Sequence, residues 1–175
     1  MKLIVAPLHQ VAALAVRHRP SHLISLASPG HVDPPLVDLT VRRLDLRFND
    51  IAASREGLIA PSEADVAALL AFADDWDGAD PLLLHCWAGV SRSTAAAYAV
   101  ACARTAPGAE ADWALRLRRA APTATPNPLI VALADRLLGR GGAMVRAVAA
   151  IGRGAETTWG AAFELDLPPQ GVLPR

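Results

Sequence analysis

Lysine is almost absent from this chain: of 17 basic residues, only Lys2 is not arginine. The bias points to GC-rich coding and so to a bacterial source, and it says nothing about chemistry. Cysteine is scarce too. Two of them, Cys86 and Cys102, are too few for a disulfide framework. A helix between them would hold the thiols ~15 Å apart, too far to bond, and a reducing cytoplasm is the expected compartment. Neither charge is in excess, with 17 acidic residues against 17 basic, so neither nucleic acid nor a membrane surface is expected as a partner. Long apolar runs are missing. The stretch after Lys2 stops at Pro7, too short for the core of a signal peptide. The longest uncharged helical run, residues 93–103, falls well below the ~20 residues of a membrane-spanning helix. No metal-ligand spacing is found, and no metal or other cofactor is expected.

What is present is an apolar content of 53% with 19% charge, the balance of a folded globular chain. The length fits one domain. Residues 3–5 and 22–26 read as short strands, stopped by Pro7 and by Ser28-Pro29-Gly30. Residues 41–48 alternate, with Leu44, Leu46 and Phe48 on one side and Arg43, Asp45 and Arg47 on the other, a period of two. The apolar run 82–84 predicts a fourth, buried strand. Helical spacing covers 10–17 and the segment that Ser62 caps, with Asp65 three residues on. Strands alternating with helices argue for an α/β fold whose mostly parallel central sheet, of about four to five strands, is flanked by helices. The second half is all helical, over 91–104, 109–119, 127–138 and 143–151. Residues 1–152 are read as a single domain. Residues 153–175 are read as an irregular tail packed on it or extending from it, anchored by Trp159 and Phe163.

The densest chemistry is His85-Cys86-Trp87-Ala88-Gly89-Val90-Ser91-Arg92-Ser93, placed where the buried strand gives way to an Ala-rich helix. A thiol there sits beside the positive end of the helix dipole. The backbone N–H groups of Trp87, Ala88, Gly89, Val90, Ser91 and Arg92 are expected to form an anion cradle. Gly89 allows a positive φ and a close backbone approach. Arg92 offers a planar fork of donors for two phosphate oxygens. Such surroundings favour a thiolate and a bound phosphate- or vanadate-type anion.

This H-C-x-x-G-x-x-R-S pattern resembles the signature of the cysteine-dependent protein tyrosine phosphatases. It is nearest to the dual-specificity branch, whose loops commonly read H-C-x-A-G-x-S-R-S. His85, Cys86, Ala88, Gly89, Ser91, Arg92 and Ser93 fill every fixed position. The resemblance implies a phosphatase-like fold with a helical C-terminal half. It implies Cys86 as the nucleophile that forms a cysteinyl-phosphate and Arg92 as the stabiliser of the transferring phosphoryl group. It also implies Ser93 as a hydroxyl donor to the thiolate sulfur and His85 as a brace for the loop. The expected substrate is a phosphorylated protein, hydrolysed at phosphotyrosine and also at phosphoserine or phosphothreonine.

A general acid must protonate the leaving oxygen. In parallel α/β sheets the site lies at the carboxyl ends of the strands, and Asp50 follows the strand that ends at Phe48. Asp33 and Asp38 stay open as alternatives. Asp74, Asp75, Asp77 and Asp80 precede the catalytic strand and belong at the opposite end, while Asp45 is expected to pair with Arg43 or Arg47. Asn127, in Thr125-Pro126-Asn127, fits a helix N-cap and equally a Pro-Asn pair that dual-specificity phosphatases carry after the catalytic helix; it stands as a supporting residue. Trp87 is either an apolar wall for an aromatic ring or a core residue. Arg55 and the Arg116, Arg118, Arg119 group read as solvated. Three other functions compete. A phosphoinositide or other small-molecule phosphomonoesterase would carry extra Lys or Arg in the loop, where Trp87, Ala88, Val90 and Ser91 are uncharged. A phosphoprotein-binding pseudophosphatase has no need to keep Cys86, Arg92 and Asp50 together. A rhodanese-like sulfurtransferase has no need of the Arg-Ser pair. The oligomeric state has no signal in the sequence.

Overall fold

Three segments of the chain are buried along nearly their whole length, and they form the middle of a sheet. The computed structural model of the chain describes residues 1–32 and 40–168. In chain order its elements are β1 (Lys2–Pro7), α1 (Val11–His18), β2 (His22–Ala27), β3 (Arg42–Arg47) and α2 (Glu63–Asp74). There follow β4 (Leu82–Cys86), α3 (Arg92–Ala103), α4 (Glu110–Ala120), α5 (Pro128–Leu137), α6 (Ala143–Ile151) and β5 (Phe163–Asp166). The strand order is β3-β2-β4-β1-β5. β1, β2 and β4 are apolar on both faces, as strands covered on two sides must be. β3 is an edge strand, and its Arg42, Arg43 and Asp45 are exposed, charges that discourage pairing with another chain.

The sheet is α/β and mostly parallel, and it is mixed at one edge. β4 pairs in parallel with β1 and with β2, and β2 with β3. The irregular tail expected after Gly152 instead supplies β5, which runs antiparallel to β1 with Phe163 opposite Val5 and Leu165 opposite Leu3. Phe163 and Leu165 point inward and Glu164 and Asp166 outward. Four alternating residues suffice here because β1 is already ordered beside them.

One face of the sheet carries the larger core, into which α3 is sunk. Every residue of α3 from Arg92 to Cys102 is buried, and its alanines let α2, α4 and α5 pack close around it. The opposite face is smaller and is covered by α1, through Val11 and Ala15 against Ile4, Ala6, Leu23 and Leu83. α2 begins with a capping box in which Ser62 and Asp65 bond reciprocally. Because β1, β2, β3 and β4 run in parallel, Pro7, Ala27, Arg47 and Cys86 all end at one edge of the sheet, and the loops that follow them share it.

Candidate active site

Cys86 is the last residue of β4, and Arg92 the first of α3. Four of the five residues between them are held by their carbonyl oxygens. The Leu8 N–H donates to Trp87 O (3.1 Å), Gly160 N–H to Ala88 O (2.8 Å), Thr125 N–H to Val90 O (2.9 Å) and Asn127 N–H to Ser91 O (3.3 Å). Peptide bonds among the described residues are all trans, and a trans peptide points its carbonyl and the following N–H in opposite directions. The N–H groups of Ala88, Gly89, Ser91 and Arg92 therefore point away from the partners of the preceding carbonyls. Gly89 is required where it stands. Its φ is +70°, and a Cβ there would lie 2.7 Å from the backbone nitrogen of Pro7.

A cavity of about 470 Å³ opens over this loop, lined in part by Ser28, His31, Cys86, Trp87, Arg92 and Thr157. Cys86 is buried, with its Sγ 3.1 Å from the hydroxyl of Ser93. Arg92 is only 4% exposed. Its Nη1 donates to Phe48 O (3.1 Å) and to Ser28 Oγ (3.3 Å), which ties it to the ends of β3 and β2. Its Nε has no hydrogen-bond partner among the described residues. A cation at the start of a helix is opposed by the dipole and favours a negative charge beside it.

Asp50 lies on the loop after β3 and reaches the same place. Its Oδ1 accepts from the Ser91 hydroxyl (2.7 Å) and from Asn127 Nδ2 (2.8 Å). Its Oδ2 is 3.8 Å from Arg92 Nε and accepts neither of those bonds. Asn127 does two things at once. Its Oδ1 caps α5 by accepting from Leu129 N and Ile130 N, while its amide nitrogen holds Asp50 and also donates to Ile51 O (3.3 Å). His85 is buried within β4, opposite Ala6 and Ser25.

No protein-family model matches the chain, and no curated protein matches it. Solved structures do. The structure of DUSP15 aligns with 85% of this chain and 89% of its own, at 19% identity and a TM-score of 0.59. The Yvh1 phosphatase domain from Chaetomium thermophilum aligns over 81% and 93%, at 20% identity and a TM-score of 0.58. PTPMT1 in complex with PI(5)P aligns over 83% and 94%, at 13% identity and a TM-score of 0.55.

The chain has the dual-specificity phosphatase fold. In this fold Asp50 is bonded to Ser91 and Asn127 and lies 3.8 Å from Arg92, Cys86 is paired with Ser93, and Cys86, Arg92, Asp50 and Ser91 line one cavity. Asp33 and Asp38, the other candidates for the acid, lie outside the described residues. Asp75 pairs with Arg42 (2.6 Å) at the start of β3, the end of the sheet away from Cys86. Asp45 lies 3.5 Å from Arg43 and 3.8 Å from Arg47. Cys102 is buried in α3, where burial pushes its thiol up to about 12. Trp87 is not a core residue but stands exposed at the cavity mouth. Arg118 is half-buried rather than free in solvent. Its guanidinium donates to Pro122 O, Ala124 O and Gly152 O and staples the segment after α6 to the loop before α5. Ser28, His31 and Thr157 were not foreseen at the site. Ser28 had a usable signal, since it follows the end of a buried strand. Thr157 had none, because it arrives through a long-range backbone contact.

Among the described residues no group of three or more His, Cys, Asp or Glu is gathered as a metal set. No helix among them is long and apolar enough to cross a membrane.

Proposed function

We propose that this chain is a cysteine-dependent phosphatase that hydrolyses phosphotyrosine in proteins, and phosphoserine or phosphothreonine with it, through a cysteinyl-phosphate. The observation that carries this reading is the loop with its carbonyls tied to other segments. The N–H groups that follow those carbonyls point away from the ties, and the Arg92 fork shares a cavity with one buried thiol, a set that fits the three equatorial oxygens of a transferring phosphoryl group. Cys86 Sγ attacks phosphorus, and the bond to the ester oxygen breaks. A proton from Asp50 Oδ2, the oxygen free of the Ser91 and Asn127 bonds, passes to that leaving oxygen. Asp50 then takes a proton from water, whose oxygen attacks phosphorus and displaces the thiolate. The Ser93 hydroxyl, 3.1 Å from Sγ, stabilises the departing thiolate. A thiol nucleophile of this kind works in a reducing compartment, which makes the cytoplasm the proposed setting.

The protein substrate is favoured over an inositide by the lining of the cavity. Arg92 is its one Lys or Arg side chain among the described residues, so a second phosphate group would be desolvated without a cation to meet it. The test is direct. Cys86→Ser is expected to abolish turnover of a phosphotyrosine peptide and keep vanadate or phosphate binding. Iodoacetate should label Cys86 alone in the folded wild type, with vanadate protecting it and Cys102 left unreacted. Retained turnover by Cys86→Ser overturns the reading. A kcat/KM tenfold higher for a soluble phosphatidylinositol polyphosphate than for the peptide replaces it with the lipid reading.

A further inference from the structure

Two tryptophans stand exposed beside the cavity, where large apolar side chains are normally withdrawn from water. Trp87 is 54% exposed and Trp159 is 40% exposed. They are in contact, with ring centroids 5.5 Å apart and planes tilted by 38°. His31 meets Trp87 edge-on at 5.8 Å, and His9 meets Trp159 edge-on at 5.1 Å. The four rings come from four separate segments and form one row. Its inner member, Trp87, lines the cavity next to Cys86. A contiguous apolar surface that borders a polar cavity is where the apolar part of a ligand is received.

Trp159, read from the sequence as an anchor, belongs to a segment for which the sequence offered no function. That segment is docked on the catalytic loop by its backbone. Gly160 N–H bonds Ala88 O at 2.8 Å, and a Cβ on Gly160 would lie 3.0 Å from Gly89 O. Further back, Ala155 N–H bonds Pro122 O at 3.0 Å, and Gly154 N–H bonds Thr125 Oγ1 at 3.1 Å. The Thr157 hydroxyl donates to Trp159 O at 2.7 Å. The ring of Trp159 is thus carried to a fixed place against Trp87.

We infer that Trp159 is a positioning residue for substrate selection: it holds Trp87 as a wall that receives the aryl ring of the phosphomonoester, so that the segment after α6 sets the preference for aryl over alkyl phosphates. The inference rests on the phosphatase reading and adds to it. The cradle holds the phosphate alike in both substrate types. Only an aryl ester brings a flat π-face to the wall, in the offset or edge-on geometry that aromatic pairs favour. Without Trp159, Trp87 keeps its place in the loop and its edge contact with His31 but loses the ring on its other side, and the wall is no longer presented in one position.

The experiment uses the full chain and three non-hydrolysable probes, phenylphosphonate, methylphosphonate and inorganic phosphate, titrated by calorimetry. The wild type is expected to bind phenylphosphonate more tightly than methylphosphonate. Trp159→Ala should weaken phenylphosphonate by roughly threefold to tenfold and leave methylphosphonate and phosphate within about twofold. Trp159→Phe, which keeps a ring, should retain most of the difference. Equal weakening of all three probes by Trp159→Ala, or an unchanged phenyl preference, overturns the role of Trp159 and leaves the phosphatase reading standing. Failure of the wild type to bind any of the probes overturns the phosphatase reading, and the inference with it.

Discussion

Asn127 joins the cap of α5 to the candidate acid, and the two roles separate in two substitutions. Asn127→Ala removes both. Losing the cap leaves the N–H groups of Leu129 and the buried Ile130, 3.1 Å from Asn127 Oδ1, without their acceptor, at a cost of about 1–2 kcal/mol. A loss of that size shifts Tm by roughly 2–8 °C in a domain of this size. Asn127→Asp keeps the cap, since Asp accepts at that position as well as Asn does. It removes the amide donor 2.8 Å from Asp50 Oδ1 and sets a carboxylate in its place. A hydrogen bond to a charged group contributes about 1.5–3 kcal/mol. If that energy serves to aim the acid, its loss slows protonation of the leaving group by roughly 10- to 100-fold. The assay compares kcat/KM, which reports the steps up to release of the leaving group and not the hydrolysis that follows, on a phosphotyrosine peptide and on an aryl phosphate whose phenol is far more acidic and leaves without help. Asn127→Asp should slow the first by that factor and leave the second nearly unchanged. It should add little to Asp50→Asn in the double variant, since both remove one function. Equal slowing of both substrates, or full additivity with Asp50→Asn, would refute the link between Asn127 and the acid and leave a helix cap alone.

Gly89→Ala should abolish phosphate binding and destabilise by about 2 kcal/mol or more, because a Cβ there meets the backbone of Pro7 at 2.7 Å in a left-handed conformation; calorimetry and thermal melting both read it, and a melting temperature within a degree of wild type would contradict it. Arg140→Met strips Glu110 of its buried partner at 3.0 Å and should lower stability by about 3–5 kcal/mol; an unchanged Tm would show that Glu110 is neutralised or rehydrated instead. His22 is held below its ordinary value of 6.5, first by burial and next by Arg42, with Asp75 and Asp77 acting the other way. Below pH 6.5 the unfolded chain therefore binds a proton that the folded His22 refuses, so stability is complete above 6.5 and falls as pH drops toward the lowered folded value. Tm followed from pH 7.5 to 5 should decline less in His22→Gln than in wild type, and parallel curves would remove His22 from the account.

The loop from Cys86 to Arg92 was legible because its residues answer local demands, namely a thiol at a helix start, a glycine at a positive φ and a forked cation beside them. The parallel core was legible because β1, β2 and β4 are apolar runs bounded by Pro and Gly. Asp50 was reachable by topology alone, since parallel strands deliver their following loops to one edge. The antiparallel strand β5 was not. Its four alternating residues pair with β1 across nearly the whole chain, and no local period of that length separates a strand from a loop. Arg118 was misread because a helix arginine in solvent and one stapling three carbonyls have the same neighbours in sequence. Trp159 read as an anchor, but its place beside Trp87 was not legible, for a related reason. What docks it is the backbone of Gly160 on the backbone of Ala88, and backbone contacts leave no side-chain trace.

The outer bonds to the loop carbonyls come from residues 8, 125, 127 and 160, so nine consecutive residues of motif are shaped by nearly the full length of the domain. Each bond closes a long stretch of chain, and such closures come late in folding because their entropy must be met first. The cradle is therefore a record of completed folding. A nascent chain that has made Cys86 but not yet Gly160 carries that thiol on an unshaped loop. The form of the loop arrives only with the segment after α6, far in sequence from the residues it shapes.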